Sequence, residues 1–330
     1  MNKKALLKKI QKDGMALEDS TIELRADKEV VLEAVKQDGL ALCFASGDLQ
    51  SDKEVVLVAL NQYGSALGYA SKTLREDKEI VLIAVKKDGF ALKYASKELI
   101  ADKEVVLAAV TQSGCSLGYA SEKLRNNKEV VIAAVKKNGD ALSFASEKLK
   151  NDREIVIEAV KQSGDALSFA SEKLKSDKEI VIEAVKQSAH ALFYASKKLK
   201  NNKNIVLIAL KDKWEVLCYA SNKLRNNKEV VLEAIKNNVY ALEYASNELK
   251  NDKEIVFEAV KQNGFALRHV NKEMPEYKEI LYMLKDFLKE NKINFQKEYE
   301  LLKSYEREDK IRKDLDLNCN NKANILRKKI

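Results

Sequence analysis

Asp140, Asp165, His190 and Glu215 succeed one another at intervals of 25 residues. Carboxylates and imidazoles are zinc-ligating groups, with metal–ligand bonds of about 2 Å. Packed helices lie roughly 8–10 Å apart. Two neighbours of such a series could share an ion, but four in a line cannot converge on one, so no metal and no other cofactor is expected. Nine serines keep the same interval, from Ser46 through Ser71, Ser96, Ser121, Ser146, Ser171, Ser196 and Ser221 to Ser246. A nucleophile is not needed nine times, and a hydroxyl just after a short helix caps the turn that follows. Cys43, Cys115, Cys218 and Cys319 form no C-x-x-C pair and no metal-type spacing, the usage of free thiols in a reducing compartment. No nucleophile–base pair and no Gly-rich phosphate loop occurs, and His190 has no arranged partner. The chain is therefore read as a non-enzyme with no catalytic residues.

The interval that spaces these residues runs through most of the 330-residue chain. D-K-E-V-V-L begins at Asp27 and returns, with small changes, at Asp52, Asp77, Asp102, Asn127, Asp152, Asp177, Asn202, Asn227 and Asp252, with a weaker copy at Asn2. Eleven units of 25 residues thus cover 2–276 without an insertion. Each unit reads [DN]-K-E-[VI]-V-[LI]-x-A-V-K-x-x-G-x-A-L-x-[YF]-A-S-x-x-L-x-x, and its positions are numbered here as slots 1 to 25. Asp or Asn at slot 1 is a helix N-cap, and Glu at slot 3 suits the positive end of the helix dipole. Apolar slots 4, 5, 8 and 9 form a wide helical stripe. Gly at slot 13 is expected to end that helix in the left-handed conformation. A second, shorter helix is expected to bury slots 15, 16, 18 and 19, which makes the nine slot-18 aromatics, Phe44 to Tyr244, core residues. The Lys-Glu pair of slots 2 and 3 reads as solvated cap charge.

One such helix pair cannot bury its apolar side, whereas stacked copies share a continuous core. The expected fold is all-α, an α-solenoid of eleven 25-residue helix-pair repeats with a C-terminal helical cap. The domain division is 2–276 for the solenoid and 277–330 for capping helices and a basic tail. One proline and eleven glycines argue for the same class, being too few turn formers for a sandwich or barrel. Lys9 at slot 8 and Asp19 at slot 18 mark the first unit as a polar cap. The last unit breaks down at His269, Val270, Asn271 and Pro275. Tyr277–Lys289 and Phe295–Glu308 then read as amphipathic helices outside the 25-residue pattern, the first offering Ile280, Leu281, Leu284, Phe287 and Leu288 to the open end of the core. Asn318–Ile330 reads as a frayed end.

Net charge is +8, yet residues 1–276 hold 45 basic and 41 acidic side chains, a mixed helical surface. Backbone-tracking nucleic-acid binders cluster their cations on one face. No apolar run reaches the roughly 18 residues of a membrane helix, and no secretory h-region follows the basic start. The expectation is a monomer without nucleic acid or membrane, cytoplasmic or delivered into a host cell.

The unit D-K-E-V-V-L-x-A-V-K-x-x-G-x-A-L-x-Y-A-S-x-x-L-R-x-D resembles the tandem repeats of the family known as domain of unknown function 4116, over residues 2–276. Members of that family carry many tandem copies and occur in host-associated bacteria and some protists. The resemblance implies the repeat boundaries, but no activity, cofactor or catalytic residue.

Two slots take many different residues. Slot 14 runs Met15, Leu40, Ser65, Phe90, Cys115, Asp140, Asp165, His190, Glu215, Tyr240, Phe265, and slot 17 runs Glu18, Cys43, Gly68, Lys93, Gly118, Ser143, Ser168, Phe193, Cys218, Glu243, Arg268. Spaced i and i+3, they draw one exposed stripe along the repeats. Exposed aromatics beside charges are what interaction surfaces use. The expected partner is a protein or peptide, bound through Phe90, Lys93, Asp140, Asp165, His190, Phe193, Trp214, Glu215, Tyr240, Glu243 and Phe265. The alternative is a structural or spacer rod without a dedicated ligand. Ala189, Trp214 and Val239 replace Gly at slot 13 in successive units. A residue with a side chain resists positive φ, so those turns should strain or change type. At Trp214 either the rod kinks or a recognition hot spot forms with His190, Phe193 and Tyr240.

Overall fold

The computed structural model describes residues 2–263, 266, 269–271 and 274–290. Expectations for Phe265, Arg268 and Cys319, for the side chains of Leu281, Leu284 and Leu288, and for everything beyond residue 290 lie outside them. The described residues are helical and contain no strand, an all-α repeat fold. The chain divides into two bodies, Met1–Ser196 and Lys197–Ile330, each a stack of 25-residue units.

Each of the ten units from Asn2 to the one starting at Asn227 holds three elements where a helix pair was expected. In the unit that starts at Asp27 they are an α-helix Lys28–Gln37, a 3-10 helix Gly39–Phe44 and a single turn Gly47–Gln50. Asp27 caps the α-helix as its sequence predicts, its carboxylate accepting from the N–H groups of Glu29 and Val30. Slots 4, 5, 8 and 9 are its buried stripe, Val30, Val31, Ala34 and Val35. Slot 12 caps the 3-10 helix in turn, Asp38 accepting from Leu40 N at 2.8 Å.

The slot-13 glycines overturn the reading of a left-handed turn. Among the described residues none of them has a positive φ. What they lack is room: a Cβ on Gly39 would stand 2.4 Å from the carbonyl oxygen of Ala59, at slot 8 of the next unit, and one on Gly114 would stand 2.4 Å from Ala134 O. Real Cβ atoms do not approach an oxygen so closely, so glycine here sets the distance between units. Ala189, Trp214 and Val239 keep the same type of turn, each beginning a 3-10 helix as the glycines do. The change in the Trp214 unit comes earlier, where its α-helix, Lys203–Leu210, stops two residues short of the ten-residue helices Lys178–Gln187 and Lys228–Asn237.

A further set of backbone bonds joins successive units. The slot-20 N–H donates to the slot-24 carbonyl of the unit before, as Ser71 to Gln50 at 2.9 Å in the first body and Ser246 to Arg225 at 2.9 Å in the second. The slot-20 hydroxyls of Ser71, Ser96, Ser146, Ser171, Ser221 and Ser246 accept from the slot-23 N–H, the capping role expected of them. Those of Ser46, Ser121 and Ser196 are buried without a partner.

The Lys-Glu pair of slots 2 and 3 is more than solvated cap charge, because it reaches across units. Lys28 Nζ lies 2.7 Å from Asp52 and 2.8 Å from Glu54, and Lys78 lies 2.8 Å from both Asp102 and Glu104. In the second body Lys228 pairs with Asp252 and Glu254, and Lys253 with Glu279. Glu279 and the fully buried Ile280 sit on the helix Tyr277–Glu290 where slots 3 and 4 of a twelfth unit would fall, so the pattern extends into that helix. The Lys28 hydrogen bond holds the Asp52 carboxyl below its usual range, and the two carboxylates raise Lys28.

Val131 is fully buried at slot 5. Val131→Asp is expected to destabilise the stack by on the order of 3–5 kcal/mol through an unpaired buried charge, and an unchanged melting temperature would contradict the packing. The ladder predicts a pH window. A depressed carboxyl contributes above the unfolded value of about 3.9 and its contribution is lost as pH falls through the folded value, while a raised lysine loses its contribution as pH rises through its folded value. NMR titration should therefore place Asp52 and Asp102 below about 3.9, and Lys28→Met should bring Asp52 back up while leaving Asp102 in place.

Candidate interaction surface

In a 3-10 helix residues three apart eclipse one another. Slots 14 and 17 therefore form one row, 15 and 18 a second, and 13, 16 and 19 a third. Slot 13, slot 16 and the Ala of slot 15 are buried, as Gly89, Leu92 and Ala91 are. The first row faces solvent. In the body Met1–Ser196, Phe90 and Phe193 are 42% and 53% exposed, and Lys93, Asp140, Asp165 and His190 are exposed as well. In the other body Tyr240, Glu215 and Glu243 are exposed and Trp214 is half-buried. Apart from Trp214, which stands at slot 13 in the third row, the sequence-predicted site residues within the described chain share this first row, and each body carries its own set.

The slot-18 aromatics are a correction to the expected core. Tyr69, Tyr119, Phe144 and Phe169 are exposed, Tyr69 at 43%, while Phe44, Tyr94, Tyr194, Tyr219 and Tyr244 are half-buried. Their rings lie over slot 17 of the preceding unit. A Cβ on Gly68 would be 2.7 Å from the Tyr94 ring, and one on Gly118 would be 2.9 Å from Phe144. Slot 14 also touches them, as Phe90 meets Tyr119 edge-on at 6.3 Å. The aromatic slot therefore widens the variable stripe into a band of slots 14, 17 and 18.

Slot 24 is half-buried beneath this band. Arg25 stands 5.9 Å from the Phe44 ring centroid and donates to the Glu18 carbonyl. Gln50 donates to the Leu42 carbonyl at 3.2 Å, and Arg225 to the Tyr244 carbonyl at 2.7 Å. The recurrence of Arg or Lys at this slot is the signal that could have revealed it.

Slot-14 polar groups are engaged locally. Asp165 accepts from Ser188 Oγ at 3.0 Å, and Cys115 Sγ accepts from Asn138 Nδ2 at 3.2 Å. Among the described residues no three His, Cys, Asp or Glu side chains are grouped so as to hold a metal ion. Cys43, Cys115 and Cys218 are free thiols pushed by burial above their ordinary pKa, away from the thiolate that nucleophilic chemistry needs. What the band can do chemically is stack, bury apolar groups and pair charges.

In the body Lys197–Ile330 the band gathers rings. Trp214 stacks on Tyr244 at 6.0 Å and lies 6.4 Å from Tyr240, which meets His269 edge-on at 6.0 Å. This cluster joins Trp214 and Tyr240 to Tyr244 and His269, while His190 and Phe193, named with them in the expected hot spot, belong to the body Met1–Ser196. No described helix is long and apolar enough to cross a membrane.

Exposure separates the two classes of apolar slot. Tyr69→Ala should cost less than about 1 kcal/mol, and Leu67→Ala, fully buried two residues away, about 2–5 kcal/mol. Urea denaturation of the two variants checks this, and equal losses would return the ring to the core.

No curated protein and no solved structure matches the chain. A family model does, at residues 2–50, 52–100, 102–150, 128–175, 152–200, 177–225, 202–249 and 227–274. Each match spans two 25-residue units, so the repeat that defines the family is a pair of those seen here. By these tandem matches the chain belongs to the family described as Domain of unknown function (DUF4116).

Proposed function

We propose that this protein is a non-enzymatic repeat scaffold that holds a protein or peptide along the band of slots 14, 17 and 18. The observation that carries the reading is the exposure of a large aromatic side chain in seven units, Tyr69, Phe90, Tyr119, Phe144, Phe169, Phe193 and Tyr240, at or beside the variable slots. Aromatic side chains with few rotatable bonds supply contact area at low entropic cost, and interfaces are enriched in them. The slots around them differ from unit to unit, so one frame presents a different chemistry at each step, as elongated repeat proteins do. Free thiols at Cys43, Cys115 and Cys218 support a reducing compartment, the cytoplasm of its own or of a host cell.

A photo-crosslinking residue placed at Phe90 or Phe193 should form adducts with a partner in cell lysate, and the same residue at the exposed Lys36, on the first helix of its unit, should not. A pull-down with Trp214→Ala plus Tyr240→Ala should lose whatever is held by the ring cluster. Equal labelling from Lys36 together with an unchanged pull-down would favour the spacer reading instead.

A further inference from the structure

Four successive units, starting at Asp27, Asp52, Asp77 and Asp102, form the longest run of the band without a negative charge. Their slots 14, 17 and 18 contain no acid. They present Tyr69, Phe90 and Tyr119 to solvent, with Lys93 among them, its Nζ 4.6 Å above the Tyr94 ring. At slot 24 of every second unit lies an arginine, Arg25, Arg75 and Arg125, alternating with Gln50 and Ile100. Among the described residues none of these three arginines, nor Lys93, forms an ion pair. The Nε of each arginine is buried without a hydrogen-bond partner, whereas Arg225 at the same slot of the other body places its Nε on a carbonyl. By contrast Lys150 and Lys175, the slot-24 cations further along, are already paired with Glu147 and Glu172 at 2.9 Å. Within the tract Asp38 and Asp88, at slot 12, are turned to the N–H groups of Leu40 and Phe90, and Glu18, in the unit before, bounds it at the Arg25 end, where only its backbone carbonyl accepts from Arg25. Beyond it, Asp140 and Asp165 reverse the charge of the band.

Uncompensated, half-desolvated guanidiniums interleaved with open aromatic faces call for a ligand that is anionic and apolar by turns. We propose that the tract between Arg25 and Arg125 binds an extended acidic peptide. The inference rests on the reading of the band as a peptide-binding face and names the partner's chemistry. Successive units are about 10 Å apart, and an extended chain advances about 3.3 Å per residue. Three peptide residues therefore match one unit, and an acidic residue at every sixth position meets the arginines, with apolar residues between them facing Tyr69, Phe90 and Tyr119. A nucleic-acid strand fits less well, because it carries a phosphate every few ångströms while the arginines recur about every 20 Å.

Fluorescence anisotropy on the full chain tests this with labelled peptides of about 18 residues. One carries Glu at every sixth position and Leu or Phe between, a second has Lys in place of Glu, and a third clusters the same acids at one end; oligouridine of similar length is the fourth probe. The regularly spaced acidic peptide should bind at least about tenfold more tightly than the other three. Arg75→Gln with Arg125→Gln should weaken it about tenfold, and Asp140→Asn with Asp165→Asn should not. Lys93→Glu, at an exposed position, should weaken it without lowering the melting temperature, which separates lost binding from lost folding. Equal or better binding of the Lys peptide or of oligouridine, indifference to the arginines, or no saturable binding would overturn the proposal. Should crosslinks from Phe90 instead capture a basic partner, the peptide-binding reading would stand and this inference alone would fall.

Discussion

The carbonyl oxygen of Ala59 occupies the space where a side chain on Gly39 would begin, and the same contact recurs between Gly64 and Ala84 and between Gly139 and Ala159. This backbone approach determines how near each 3-10 helix lies to the α-helix of the following unit. At that distance the valines and alanines of slots 4, 5, 8 and 9 leave no exposed area, the slot-20 N–H reaches the slot-24 carbonyl, and Lys28 reaches two carboxylates of the next unit. In the second body Trp214 and Val239 hold the glycine slot. There Asn237 donates to the Leu210 carbonyl at 2.5 Å and Gln262 to the Lys236 carbonyl at 3.0 Å, side-chain links between units beside the altered slot.

The close approach also shapes the outer face. With slots 13 and 16 turned inward, a 3-10 helix has to present slots 14 and 17 outward, and slot 18 lies at the edge with its ring over the unit before. Small residues at slot 17, Gly68 and Gly118, lie beneath those rings, while Phe193 at that slot stands out beside its own neighbour Tyr194 at 5.2 Å. Invariant packing and variable display are thus divided between faces of the same six residues. This division is why the band can change from aromatic and cationic to acidic without disturbing the core.

Charge distribution follows from the same geometry. The numerous Lys and Glu residues of slots 2 and 3 cancel one another across units, so the overall excess of cations says little about ligands. Slot 24 differs. Its cations lie half-buried against rings and carbonyls, and whether each is compensated depends on the neighbouring slots, as Lys150 with Glu147 and Arg75 without an acid illustrate.

The unit length, its boundaries, the Asp27 type of cap and the buried slots 4, 5, 8, 9 and 16 were all legible in the amino-acid order, because 25-residue recurrence and local capping chemistry are properties of the chain itself. The exposed slots 14 and 17 were legible for a related reason, since residues that vary so widely cannot all fit one core position. Three matters were decided only by the tertiary structure. The slot-18 ring looked apolar and therefore internal, but a helix of three residues per turn turns it to the edge, where α-helical spacing would have turned it in. Glycine at slot 13 looked like a turn former, but its cause is an oxygen 20 residues away in sequence. The third is the state of Arg75 and Arg125, because a sequence shows which cations are present and only the packed neighbours show which of them lack an anion.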